Sequence, residues 1–335
     1  MKILVKGNNW LGDAVMSLPT LRSLRAMKPG ARISVLSRDS VAGLYAGAPY
    51  VDETIVYPRR DRKGVRAWLG VVRDLRGRKF DAALILPRSF SSALMAFTAR
   101  IPRRIGYSGD GRSAMLTDAV ERDPALLKGH RVHYYYRLLK AFGTPPEASA
   151  PKLEVSADAA RWAKEHAPAG SPLVALNPGA TYGEAKQWYP DRFVETGRRI
   201  VKRWKASIVV IGGPAERELG ERVASEIGPG AVSLAGRTDI PRLAAVLRAC
   251  DLLVTNDTGP MHVADAVGAP IVAVFGPTDW IATPPFGKRH AIVRTPIECS
   301  PCLKRVCPLG HHNCMKRVPV EDVVEACGRL LGGPR

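Results

Sequence analysis

Val254–Trp280 reads VTNDTGPMHVADAVGAPIVAVFGPTDW, and its grammar decides the fold. Leu252–Thr255 is an apolar run that predicts a buried strand. Asn256-Asp257-Thr258-Gly259-Pro260 supplies turn chemistry, and Met261, Val263, Ala264 and Val267 then recur at helical spacing. Gly268-Ala269-Pro270 stops that helix, and Ile271–Phe275 predicts a second buried strand. Strand, turn, helix and strand make a βαβ unit, in which ligands sit where strands end and helices begin. Backbone amides at the helix start favour an anion such as a phosphate. Thr258 adds a hydroxyl, Asp257 a carboxylate and His262 a ring one turn into the helix. Each residue also has a plainer use: Asp257 or Thr258 as a helix cap, Pro260 at the first helical position, His262 as a satisfied, partly buried side chain. Taken together, and followed by a second turn at Phe275-Gly276-Pro277-Thr278-Asp279, they predict a site.

Outward from this stretch the same alternation fills the chain. Lys2–Lys6 predicts a strand, Gly7–Asp13 a polar loop and Ala14–Met27 a helix with Val15, Leu18, Leu21 and Leu24 on one stripe. Asp13 stands at the start of that helix, either as its N-cap or as a carboxylate at the carboxyl edge of a parallel sheet, where a catalytic base belongs. Strands at Arg32–Leu36, Glu53–Val56, Ala82–Leu86 and Arg104–Gly106 alternate with helices at Val41–Ala46, Trp68–Leu75, Ser91–Thr98 and Val132–Phe142. Loop residues Arg88, Ser89, Tyr107, Arg112 and His130 are candidates to line an acceptor site. Gly143–Pro151 (GTPPEASAP) is a linker by composition, dividing the chain into domains 1–150 and 151–335. The second half restarts with strands at Leu173–Leu176, Ser207–Ile211 and Val232–Leu234 and helices at Phe193–Trp204, Glu216–Ile227 and Ile240–Leu247, and closes on a helix at Val320–Leu331. The fold class is therefore α/β, with parallel sheets covered on both faces.

Several loops of the second half suit a nucleotide. Gly179 lets backbone approach a phosphate, Lys186 brings a mobile ammonium, and Glu216 after Gly212-Gly213-Pro214 can accept from a ribose hydroxyl. Neither G-x-G-x-x-G nor G-x-x-x-x-G-K-[ST] occurs, which argues against a dehydrogenase or a P-loop kinase.

The 335 residues carry a net charge of +19. Residues 1–151 hold 26 Lys and Arg against 12 Asp and Glu, a net of +14, and the remainder holds 24 against 19, a net of +5. Arg59–Lys63 and Arg100–Arg104 are the densest basic stretches. Such a field attracts acidic substrates, anionic lipid or nucleic acid. Nucleic-acid binding would need a recognition helix or a basic face interleaved with aromatics, and neither is evident. No apolar run reaches transmembrane length, and the first residues lack a signal-peptide core, so a cytoplasmic protein is expected.

Of six cysteines, Cys250 and Cys327 fall in helical patterns as core residues. Cys299, Cys302, Cys307 and Cys314 lie close together near His311 and His312. A structural zinc, free thiols and, in a cytosolic setting, less readily a disulfide are the alternatives; the spacing fits no standard finger.

Gly7–Pro19 (GNNWLGDAVMSLP), Asn177–Trp188 (NPGATYGEAKQW), Asn256–His262 (NDTGPMH) and Phe275–Asp279 (FGPTD) resemble the bacterial lipopolysaccharide heptosyltransferases of glycosyltransferase family nine, nearly end to end. WLGDAVMS and the CSPC…CPLGHHNCM segment look more like the type II than the type I enzymes. The resemblance implies a GT-B fold, two Rossmann-like domains facing across a cleft, with acceptor on the first and nucleotide sugar on the second. It implies an inverting, metal-independent transfer from ADP-heptose to a phosphorylated Kdo-lipid A type acceptor, at the inner face of the inner membrane. Asp13 would be the general base, Lys186 and Thr181 would hold the donor phosphates, and Glu216 the ribose. Asp257 would contact the donor sugar, with Thr258, Gly259 and His262 around the diphosphate.

Overall fold

The structure, a computed structural model, describes residues 1–57, 64–181 and 183–332. The basic run Arg59–Lys63 and Tyr182 lie outside the described residues. The chain divides into two compact units, Met1–Pro151 and Lys152–Arg335.

The first unit is built on six parallel strands: β1 (Lys2–Lys6), β2 (Arg32–Arg38), β3 (Glu53–Tyr57), β4 (Ala82–Ile85), β5 (Arg103–Tyr107) and β6 (Asp118–Val120), in the order β3-β2-β1-β4-β5-β6. The second repeats the plan with β7 (Leu173–Asn177), β8 (Ser207–Val210), β9 (Ala231–Ser233), β10 (Leu252–Asn256), β11 (Ile271–Val274) and β12 (His290–Val293), in the order β12-β11-β10-β7-β8-β9. Read from its own first strand, the second sheet has the order of the first, that of a dinucleotide-type doubly wound sheet. The two are α/β units of the Rossmann type, as the alternation predicts. In such a sheet the chain leaves the two central strands in opposite directions. That opens a crevice at their carboxyl ends, between β1 and β4 in one unit and between β7 and β10 in the other.

The central strands are near-continuous apolar runs because helices cover both faces. In the first unit Leu4, Leu36, Ala83 and Ile85 pack under Val72 and Leu75 of the Val65–Gly77 helix and Ala93, Met95 and Ala96 of the Phe90–Thr98 helix. In the second, Val174, Leu176, Val254 and Val272 pack with Trp188, Phe193, Ile200 and Trp204, and the Val320–Leu331 helix closes this core with Val323, Val324 and Cys327.

The differences from the expected elements are local. The first helix is two, Leu11–Met16 and Leu18–Met27, divided at Ser17, whose hydroxyl bonds back to the Ala14 carbonyl. A helix at Ala157–His166, capped by Ser156 accepting from Ala159 N–H, follows the linker. The short edge strands β6 and β12 add to the expected set.

Candidate active site

At the β7–β10 crevice two loops meet. The 178–189 segment follows β7 and the Asp257–Gly259 turn follows β10. Lys186 Nζ lies 2.9 Å from Asp257 Oδ2 and 3.2 Å from the Asp257 carbonyl, with side-chain exposures of 14% and 5%. Thr258 takes the N-cap position of the Gly259–Val267 helix, yet its side chain makes no capping bond. Its hydroxyl instead accepts from Asn177 Nδ2 at 2.8 Å. The helix start is thus held open with Gly259 and Pro260 in its first turn, a site suited to an anion. His262, in the same turn, is buried.

Asn256 ties these loops together. Its Oδ1 accepts from the Trp188 amide at 2.9 Å, and its Nδ2 donates to the Pro178 and Gly179 carbonyls, each at 3.1 Å. Sequence reasoning treats Asn177 and Asn256 only as loop and turn residues. The available signal was an asparagine ending each of two buried strands, where a polar side chain requires partners.

Glu216 folds back over Gly179. Its Oε2 accepts from the Gly213 amide at 2.7 Å, and a Cβ on Gly179 would collide with its carboxylate. Glycine at 179 is therefore a matter of space. Lys186, Asp257, Thr258, Gly259 and Glu216 fall within this one loop cluster, His262 lies buried in the helix that leaves it, and Thr181 is exposed.

In the first unit, Asp13 lies in the first turn of the Leu11–Met16 helix, whose N-cap residue is Trp10. Asp13 is accordingly no N-cap, which removes the plainer of its two readings. Its Oδ1 accepts a 2.7 Å hydrogen bond from the Tyr135 hydroxyl, and its carbonyl accepts from Asn8 Nδ2 at 3.2 Å. Burial, and then the Asp13 charge, push the Tyr135 phenol well above its ordinary pKa, so it remains a donor. Below the loop, buried Lys6 donates to the Gly7 carbonyl at 2.7 Å and to Asn9 Oδ1 at 3.5 Å, with the Tyr57 ring 4.9 Å away. Burial first, then Arg38, lowers the Lys6 ammonium to about 7.

Three of the proposed acceptor-lining residues have other work. Arg112 is fully buried and donates to the carbonyls of Tyr107, Pro87 and Ser89; Tyr107 is buried and donates to the Tyr134 carbonyl. His130 caps the Arg131–Arg137 helix by accepting from Val132 N–H. Arg88 and Ser89 remain exposed.

Cys299, Cys302, Cys307 and Cys314 line one small cavity with His311 and His312. Among the described residues, no group of three or more His, Cys, Asp or Glu side chains is placed to hold a metal ion. The segment has a structural connection to the site. The Arg305 carbonyl accepts from the Ala185 amide at 3.0 Å, and His312 Nε2 lies 2.8 Å from the Ala185 carbonyl, one residue from Lys186.

The profile of glycosyltransferase family 9 (heptosyltransferase) matches residues 68–313. This chain belongs to glycosyltransferase family 9. It is 31% identical to lipopolysaccharide heptosyltransferase 2 of Salmonella typhimurium and 30% identical to that of Escherichia coli K12, in each case over 99% of both chains. The solved structure of E. coli ADP-heptose LPS heptosyltransferase II superimposes with a TM-score of 0.85 at 28% identity, covering 99% of this chain and 98% of that one. The family 9 protein is thus a glycosyltransferase with the GT-B fold.

Proposed function

We propose that the second unit holds ADP-heptose and the first presents an acceptor hydroxyl to Asp13. The protein transfers heptose to the lipopolysaccharide core. Within that activity, the acceptor is taken to be a phosphorylated Kdo-lipid A that already carries one heptose.

The reaction asks for two things. The acceptor hydroxyl must lose its proton as its oxygen bonds to the anomeric carbon, and a carboxylate fixed by Tyr135 can receive it. The bond from the anomeric carbon to the diphosphate breaks, and the departing ADP gathers negative charge. Lys186 and the amides at Thr258 and Gly259 meet that charge, without a call on a metal ion. Attack opposite the leaving group inverts the anomeric centre. Asp257 faces the sugar once Lys186 turns to the phosphates, Thr181 and His262 complete the phosphate contacts, and Glu216 accepts from the ribose.

The observation that carries this reading is the Lys186–Asp257 pair. An ammonium and a carboxylate stand beside an uncapped helix start at a sheet crevice. No helix among the described residues is long and apolar enough to cross a membrane. The first unit's positive charge suits peripheral binding at the inner face of the inner membrane, where a lipid-linked acceptor resides.

The deciding experiment incubates the protein with ADP-heptose and acceptors bearing no heptose or one, with and without a chelator, and weighs the products. A one-heptose mass gain on the singly heptosylated acceptor, unchanged by chelation, is expected. A gain only on the heptose-free acceptor would place the protein with the type I enzymes. No gain on either would refute the reading.

A further inference from the structure

The crossovers from β3 to β4 and from β4 to β5 lay the Val65–Gly77 and Phe90–Thr98 helices on one face of the first sheet. They share its core through Val72, Leu75, Ala93 and Met95. Their opposite sides therefore form one outer surface, and it is unusually apolar. Phe90 and Phe97, seven positions apart on one helical stripe, are 49% and 48% exposed; Val65 and Leu69, four apart, are 73% and 48% exposed. Arg66, Arg73 and Arg76 are exposed on the first helix and Arg100 just past the second, while the Arg104 guanidinium sits 5.4 Å from the Phe97 ring. Residues 64–104 contain nine Lys and Arg against two acids, Asp74 and Asp81. Both acids are engaged, Asp74 with Arg78 and Asp81 with the Lys2 amide.

We propose that this face docks on an anionic bilayer, with Phe90, Phe97, Leu69 and Val65 entering the headgroup boundary and the arginines pairing with lipid phosphates. An aromatic and aliphatic stripe flanked by arginines has the chemistry of an interfacial surface. Its position supports the same occupant. The Phe90–Thr98 helix begins beyond β4, and the loop to Asp13 begins beyond the adjacent strand β1, so both open at the same sheet edge. A lipid-anchored acceptor held by this face has its sugars at the edge that carries Asp13. This last point rests on the acceptor reading above; the docking itself does not.

The full-length protein is tested by flotation with vesicles of phosphatidylcholine alone and of phosphatidylcholine with phosphatidylglycerol in roughly equal parts. Binding to the anionic vesicles only, weakened by salt, is expected. Phe90→Ser/Phe97→Ser/Leu69→Ser should abolish it, and Arg66→Glu/Arg73→Glu should reduce it on the order of tenfold or more, with thermal melts showing that both variants fold. Both variants should transfer heptose normally to an acceptor stripped of its acyl chains but with a raised KM on acceptor embedded in vesicles. Undiminished vesicle binding by either variant overturns the proposal. So does equal binding to neutral vesicles, or a lipid-free dimer, or a nucleic-acid complex, that the same substitutions dissolve. Vesicle binding without heptose transfer would sink the functional reading and leave the docking surface standing.

Discussion

The Tyr135 hydroxyl donates a 2.7 Å hydrogen bond to Asp13 Oδ1 across 122 residues of sequence. The donor is buried and stays protonated, so the bond favours the ionised form of Asp13 and fixes how its carboxylate is turned. Tyr135→Phe should lower kcat about tenfold with little change in KM for ADP-heptose. It should also move the acidic limb of the pH–rate profile to higher pH, because a carboxylate that loses a donor is protonated more readily. An unaltered profile with lowered kcat would make Tyr135 a packing residue only.

Lys186 and Asp257 satisfy one another in a mostly buried place. Lys186→Met should weaken ADP-heptose binding at least tenfold and also destabilise the fold by about 3 kcal/mol, because a buried carboxylate is left alone. Adding Asp257→Asn should restore the melting temperature but not the binding. Calorimetric titration with ADP, run beside thermal melts, separates these effects. Binding restored together with stability would show that the pair serves only the fold.

The contact between Gly179 and Glu216 gives a steric test. Gly179→Ala forces the Glu216 carboxylate from its place over the backbone. The loss of a charge-assisted contact to the ribose should weaken ADP about tenfold, with melting changed little. Glu216→Gln should weaken it less, since the amide oxygen can still accept.

Lys6 makes the stability of the first unit depend on pH. Burial lowers its folded pKa from 10.5 to about 7. Between about 7 and 10.5 the unfolded chain therefore binds the extra proton and stability rises with pH; below about 7 the cost of the buried charge is present in full. Chemical denaturation of Lys6→Met at pH 7 and pH 9 should show that the variant gains most over the wild type at the lower pH. A constant difference would contradict the assignment.

Much of this architecture was open to reading because parallel strands buried on both faces are apolar runs, and glycine, proline and asparagine mark their ends. Leu252–Asn256, Gly259–Val267 and Ile271–Val274 fold as their spacing predicts. What escaped had weak local signal. β6 is three residues long and β12 is mostly half-buried, so neither carries a long apolar run. The break at Ser17 depends on one hydroxyl returning to the backbone. In the site, the residue types at 13, 186, 216 and 257 suggested chemistry, but their partners could not be paired by inspection. Tyr135 reads as part of an aromatic helix, and the bonds of Asn177 and Asn256 span 68 to 81 residues. Such pairings follow from strand order, which no single stretch encodes.

The central claim divides the labour: a proton acceptor on the first unit, a diphosphate holder on the second. Asp13→Ala tests it most directly, with ADP-heptose, purified acceptor, product mass and the ADP dissociation constant measured on one preparation. No heptosylated product and an unchanged ADP constant are predicted, since the second unit is untouched. Product formed at a rate near wild type would remove Asp13 as the base and contradict the account.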